Sequence, residues 1–391
     1  MILSGARVAL GPGETAPLEI EIRGGRIRRL GRRLEGRPRL RLEGCLILPG
    51  LINAHDHLEF NLFPRLGRGP HPNAGAWARV VHRPAESPVR EHLRVPQSTR
   101  LVWGGLKNLL SGATTVCHHN PTGAAVFRRR FPVRVVRRMG WAHSLEFSPD
   151  LAARFRHTPA DQPFVVHLGE AVDGSGKREL RVLQGMGALA RRTVLVHAVA
   201  LDAAEFDRVR QAGAAVVWCP SSNLFTLGRT AGPELFQSGV PVALGTDSAL
   251  TGAGDLLDEL RVARRASGLS REDLYRMVTI EAARILRLRH GEGAITEGGV
   301  ADLAVVRDAG RAPAASVRPP ELVLVGGRVK LVSEALAGGL PGALRRRFEP
   351  LQVAGRPGVL VDADVSGLVR RAVRALGPEI RLAGKRVRAC M

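Results

Sequence analysis

The stretch "PGLINAHDHLEF", residues 49–60, follows the apolar run Cys45-Leu46-Ile47-Leu48 and sets two histidines one residue apart. The run and the Pro49-Gly50 turn signal read as a buried strand leading into a functional end. On a strand, residues i and i+2 share a face, so His55 and His57 converge on one point. A point reached by two imidazoles suits a metal ion. Two core histidines with ordinary hydrogen-bond partners are the plainer alternative for this pair taken alone.

Downstream, the chain repeats a helix–glycine–strand cadence. "STRLVWGGLKNLLSG" reads as a helix closed by Gly112, and "ATTVCHH" as a strand. "LDAAEFDRVRQAG" opens with Asp202 as N-cap and Glu205 three residues on, and "AAVVWCPSSN" follows. "GPELFQSG" then "VPVALGTDS" is a third unit. Continuous apolar strands suit a parallel sheet buried on both faces, which favours a β/α barrel or an open doubly wound sheet. No GxGxxG follows a first strand, which counts against a dinucleotide fold.

Polar residues interrupt these strands at their ends. "PFVVHLGE" ends in His167 with Glu170 three residues on, "RTVLVHAVALD" in His197, and "VPVALGTDS" in Asp247. In a barrel, all strand C-termini surround one mouth, where active sites are built. Singly, each residue has a structural reading: His197 as a core histidine, Asp247 as a helix cap, Glu170 as a surface residue. Repetition at four strand ends favours a shared metal site. His118 and His119 form a fifth polar strand end with no assigned role.

The two termini look alike. "LEIEIRGGRIRRLG" and "ELVLVGGRVKLV" both alternate around a glycine pair and read as β-hairpins. This organisation predicts one small β domain built from both termini, residues 1–47 plus 300–335, a β/α unit, barrel or open sheet, over 48–299, and a C-terminal extension, 336–391, of unassigned role. Within that extension "LPGALRRRFEPLQVAGRPG" reads as loop, and "DVSGLVRRAVRAL" as a helix capped by Asp364 or Ser366.

The 391 residues carry a net charge of +22 but only four lysines. The excess is scattered arginine, apart from short runs at 128–130 and 345–347, with few aromatic rings. That argues against a nucleic-acid partner. No 18-residue apolar run exists, so no membrane span is expected. Cys45, Cys117, Cys219 and Cys390 form no CxxC pair and read as free thiols; with no convincing signal peptide, the expected location is cytoplasmic. The expected partner is a small-molecule substrate, with homo-oligomerisation left open.

The combination of "PGLINAHDHLE", "HLGE", "VLVHAVALD", "CPSSNLFTLG", "GTDSA" and "EAARILRLRHGEGAITEGGVADLAVV" resembles the amidohydrolase superfamily, over roughly residues 1–335. The similar branch is that of metal-dependent deaminases and chlorohydrolase-like enzymes, among them cytosine, guanine and adenosylhomocysteine deaminases. The resemblance implies an α/β fold: a distorted (β/α)8 TIM barrel with a composite β-sandwich. It implies one divalent ion, zinc first and iron second, held by His55, His57, His167 and Asp247. Glu170, His197 and Asp247 then take the catalytic roles. Glu170 shuttles protons, Asp247 also accepts one from the water, and His197 either orients the attacking oxygen or joins the metal.

One departure stands out. Only 34 positions separate Val133 from His167, so one β/α unit looks shortened or lost, and no lysine in that interval could bridge two metals. The expected activity is hydrolytic deamination of an amino-substituted N-heterocycle or nucleoside. Cleavage of an amide, cyclic amide or carbon–halide bond is the alternative in the same class; a non-catalytic barrel protein or a basic nucleic-acid binder stands further off. Ser221, Ser222 and Asn223 suit substrate hydrogen bonding or a turn and cap. Trp77, Trp103, His118, His119, Arg83 and the stretch "FNLFPRLGRGPHPNAGAW" are expected near the mouth.

Overall fold

The computed structural model describes residues 1–120, 125–127 and 130–388. Cys390 and the arginines at 128 and 129 lie outside them. Eight short strands build the barrel: Leu51–Asp56, Ala113–His118, Arg134–Val135, Gly140–Ala142, Phe164–Leu168, Thr193–His197, Ala215–Trp218 and Val242–Leu244. Neighbours pair in parallel along the first three and along the last five. The ring meets itself where Asp56 bridges Asp247 in parallel.

The missing unit is visible between the third and fourth strands. Four residues and no helix separate them. They are two halves of one segment, the first pairing with Ala113–His118 and the second with Phe164–Leu168. The barrel is distorted there, in the interval where the sequence has too few residues for a full unit.

Side-chain alternation sorts the apolar strands into two layers. Phe164, Val166 and Leu195 pack outward with Phe206 of helix Ala203–Gln211. Val165, Val194, Val196 and Val217 fill the interior. That interior plug floors the mouth and lifts His167 to the rim. Helix Ala203–Gln211 starts where Asp202 accepts hydrogen bonds from the N–H groups of Ala204 and Glu205, as the sequence predicts.

The terminal hairpins meet tip to tip. Gly25 O accepts from Ala301 N at 2.9 Å, and Gly327 N donates to Ala301 O at 2.8 Å. A Cβ on Gly25, which has φ +82°, would stand 2.9 Å from Gly326 O, so this contact needs glycine. Strand Cys45–Pro49 pairs antiparallel with Leu303–Arg307 and runs straight into the first barrel strand. Leu3, Ile20, Ile27, Ile47, Leu303 and Leu322 bury the space between the sheets.

The extension differs from its reading as loop. Strands Glu349–Val353 and Val359–Val361 pair with each other, and the second joins Arg328–Ser333 of the same sheet. Leu351, Val353, Val359 and Val361 bury with Leu368 and Ala372 of helix Val365–Leu376, which Asp364 caps. Interspersed Arg, Gly and Pro hide that alternation in the sequence. No described helix is long and apolar enough to cross a membrane.

Candidate active site

The first and last barrel strands are joined through the site residues themselves. His55 O accepts from Thr246 N at 3.0 Å and Asp247 N at 3.1 Å, and His57 N donates to Asp247 O at 3.2 Å. Gly245 permits the approach: a Cβ there would lie 2.7 Å from His55 Cβ.

Four of the expected residues then converge. His167 Nε2 lies 3.2 Å from His55 Nε2 and 3.3 Å from His57 Nε2. Asp247 Oδ1 lies 3.5 Å from His57 Nε2 and 3.8 Å from His55 Nε2. Donors about 2.1 Å from a shared ion stand roughly 3.0 to 3.4 Å apart; the two histidine separations match that and the two to Asp247 exceed it by a few tenths of an ångström, so the set suits a divalent cation that draws the carboxylate in. The donor chemistry fits as well. Burial, then neighbouring histidines, hold His55 and His167 well below the ordinary imidazole range, so both rings are neutral and offer lone pairs. His167 donates Nδ1–H to His143 O at 2.7 Å, which turns Nε2 inward as an acceptor. Asp247 accepts from Ser222 Oγ at 2.6 Å and Thr251 Oγ1 at 2.8 Å through Oδ2, leaving Oδ1 toward the histidines.

Glu170 and His197 stand together beside this cluster, Oε2 to Nε2 3.4 Å. Burial, then repulsion from Asp247 and Glu179, raises the Glu170 carboxyl well above the ordinary carboxylate range. Burial pushes His197 down to about 4, so its ring is neutral at pH 7. Asn223 Nδ2 lies 2.8 Å from His197 Nδ1, and Thr230 Oγ1 donates to Asn223 Oδ1 at 3.3 Å. With the amide so oriented, Nδ1 accepts and Nε2 carries the proton that faces Glu170.

His197 has φ +79°, Ala198 +54° and Asp247 +55°, values rare for residues with a Cβ. Leu195 faces the outer layer and Val196 the interior, so simple alternation would turn His197 outward. The left-handed backbone accompanies a ring that instead stacks near His167, centroids 5.4 Å apart. Strain of this kind concentrates at functional sites.

Several expectations resolve differently. Ser222 and Asn223 are committed to Asp247 and His197, and Ser221 N donates to Glu259 at 2.9 Å; all three support the site from beneath. Trp103 is fully buried with Leu58, Leu62 and Leu106 and lies in the core, away from the mouth. Trp77 donates to Leu66 O at 3.0 Å within the long segment after the first strand. Ala74 N in that segment donates to Glu170 O at 2.9 Å. Arg83 is exposed and bonded to Glu86 at 3.2 Å.

Two features escaped the sequence reading. His143 follows strand Gly140–Ala142, and the strand-end rule that found His167 would have found it. Asp56, between His55 and His57, faces away from them into a buried pair with Lys107 Nζ at 2.8 Å, joined by Asn108 at 2.7 Å and Asn61 at 2.9 Å. A cavity of about 510 Å³ lined by Arg134, Arg137, Arg287, Arg289 and neighbours holds none of these residues.

Residues 157–331 match the model of the amidohydrolase family. A 5-methylthioadenosine/S-adenosylhomocysteine deaminase of Syntrophobacter fumaroxidans is 27% identical over 367 residues, covering 78% of each chain. One of Pyrococcus abyssi is 33% identical over 159 residues, 36% of this chain and 37% of that one. Among solved structures, the zinc complex of atrazine chlorohydrolase from Arthrobacter aurescens superposes with a TM-score of 0.73 at 21% identity, covering 96% of this chain and 99% of that one. A zinc-bound adenosine deaminase of Xanthomonas campestris superposes with a TM-score of 0.67 at 18% identity, covering 96% and 97%.

Proposed function

The chain belongs to the amidohydrolase superfamily, and from that premise we propose that it is a metal-dependent hydrolase that releases ammonia from an amino-substituted N-heterocycle or nucleoside. One observation carries the reading: Glu170, whose carboxyl burial raises, and the N–H imidazole of His197 stand 3.4 Å apart beside a three-histidine, one-aspartate donor set. The relatives named as deaminases support it, and their printed substrates, 5-methylthioadenosine and S-adenosylhomocysteine, are the first to try.

His55, His57, His167 and Asp247 would hold the ion, zinc by analogy with the zinc-bound neighbours. When bound, such an ion lowers the pKa of a water from about 15.7 to about 7 and supplies a nucleophile at neutral pH. Glu170, carrying a proton, donates it to a ring nitrogen of the substrate as the amino-bearing carbon is attacked. His197 Nε2–H steadies the oxygen that attacks. Asp247 accepts the remaining proton of the attacking oxygen and returns it to Glu170, which passes it to the departing amine so that ammonia leaves; the next water restores the proton on Glu170.

The same donor set suits another leaving group, and the fold shared with an atrazine chlorohydrolase keeps halide release as the second reading. Metal analysis of the purified protein, followed by parallel ammonia and chloride assays over adenosine-type nucleosides, purines, pyrimidines, pterins and chlorotriazines, separates the two. Stoichiometric metal with ammonia release supports deamination; chloride release without ammonia overturns it.

A further inference from the structure

His119 stands one residue beyond strand Ala113–His118. Alternation separates it from its neighbour: His118 turns toward Leu58, whose N–H lies 3.3 Å from His118 Nδ1, and toward Glu59. His119 enters the barrel. Its ring is fully buried, stacks on His167 with centroids 4.4 Å apart, and stands edge-on to His55 at 5.2 Å.

The orientation of that ring is fixed. His119 Nε2 donates to Ala142 O at 2.9 Å. Nδ1 therefore carries the lone pair, and it is buried with no hydrogen-bond partner among the described residues. A buried acceptor left unsatisfied costs about 1–3 kcal/mol. Phenylalanine would fill the same space with no such cost. The neighbouring residue repeats the arrangement in mirror form: His167 donates its Nδ1–H to His143 O and presents Nε2. Adjacent carbonyls, of Ala142 and His143, thus anchor two stacked imidazoles by one ring nitrogen each. An N–H tied to a carbonyl with the opposite nitrogen left open is how metal-ligating histidines are held. His55, His119 and His167 each place a ring nitrogen within 4.8 Å of the other two, and His55, His57 and Asp247 form a second such group that shares His55.

We propose that His119 is a further metal ligand, through Nδ1, in addition to His55, His57, His167 and Asp247. This rests on the metal-centre reading above. The shortened unit is what makes it possible, since the segment running directly from Arg134 to His143 brings the Ala142 carbonyl against the His119 ring.

The test is X-ray absorption on the purified zinc protein, wild type and His119→Phe, which keeps the ring stack and removes the nitrogen. Imidazole scattering should count one ring fewer in the variant. Zinc affinity, read by competition with a chromophoric chelator, should fall by more than the 10- to 100-fold that loss of an outer contact costs. His119→Leu is the second variant should the first fold poorly. A wild-type count of three rings overturns the assignment without any variant, as does an unchanged count and affinity in either one. A wild type that holds no stoichiometric zinc overturns the metal-centre reading itself, and this inference with it.

Discussion

Glu170 Oε2 and His197 Nε2 lie 3.4 Å apart, the carboxyl raised by burial and the imidazole lowered by it. Each shift has the sign that desolvation dictates, disfavouring the charged form. Both shifts disfavour an ion pair: the carboxyl holds its proton to higher pH than an exposed glutamate, beside a neutral imidazole. That state suits proton delivery to a substrate nitrogen and does not suit direct ligation by His197, whose inward nitrogen carries hydrogen.

Glu170→Gln keeps shape and hydrogen bonding but cannot give up or take on a proton at neutral pH. Turnover should fall by about 10² to 10⁴ with metal content unchanged. Loss of metal in the variant would show Glu170 to be a ligand; near-normal turnover would move the proton shuttle to Asp247.

Glu259 supplies a pH dependence of stability. It is 1% exposed, and burial raises its carboxyl to about 7 despite hydrogen bonds from Ser221. The unfolded carboxyl titrates near 4.3. Between about 4.3 and 7 the folded state binds more protons than the unfolded, so stability declines as pH rises through that window. The total is on the order of 3 kcal/mol. Denaturant midpoints from pH 4 to 8 should show the decline in the wild type and a flatter profile in Glu259→Gln. Equal profiles refute the assignment.

Asp56 and Lys107 are both wholly buried, 2.8 Å apart. Removing one partner strands the other charge, so Lys107→Met should cost roughly 3–5 kcal/mol. Asp56→Leu with Lys107→Met should recover much of that, since a buried pair replaced by apolar groups is often close to neutral. Thermal unfolding of the wild type and these two variants measures it; a double variant no better than the single contradicts the pair as the cause.

The residues proposed to hold the metal are legible as a cluster because barrel geometry turns a sequence rule, a polar residue ending an apolar strand, into a spatial one. The rule brought His55, His57, His167 and Asp247 together, and the sequence spacing from Val133 to His167 located the distortion. It failed where orientation decides. Ser222 and Asn223 sit beside the site, but which way their side chains point depends on Asp247 and His197, contacts 25 and 26 residues away. The inward turn of His197 depends on a left-handed backbone that no residue type announces. The strands at 349–353 and 359–361 escaped notice because their pairing supplies the regularity that their composition lacks.

Asn223 decides the last test, because it sets which nitrogen of His197 carries the proton. The amide donates to Nδ1 at 2.8 Å, and Thr230 holds the amide oxygen at 3.3 Å. Asn223→Asp reverses the polarity with almost no change of shape. The carboxylate can only accept, so it draws the proton to Nδ1 and leaves a lone pair on Nε2. The altered ring cannot donate to the attacking oxygen, and a wrong tautomer of this kind costs up to about 10⁴ in rate in the serine-protease triad. Turnover in Asn223→Asp should therefore drop by roughly 10² to 10⁴, while Asn223→Gln, which keeps a donor, retains more. Metal content should hold or rise, since a basic Nε2 now faces the cluster. If turnover in Asn223→Asp stays within a few-fold of wild type, His197 does not act as a donor, and its place is in the metal shell.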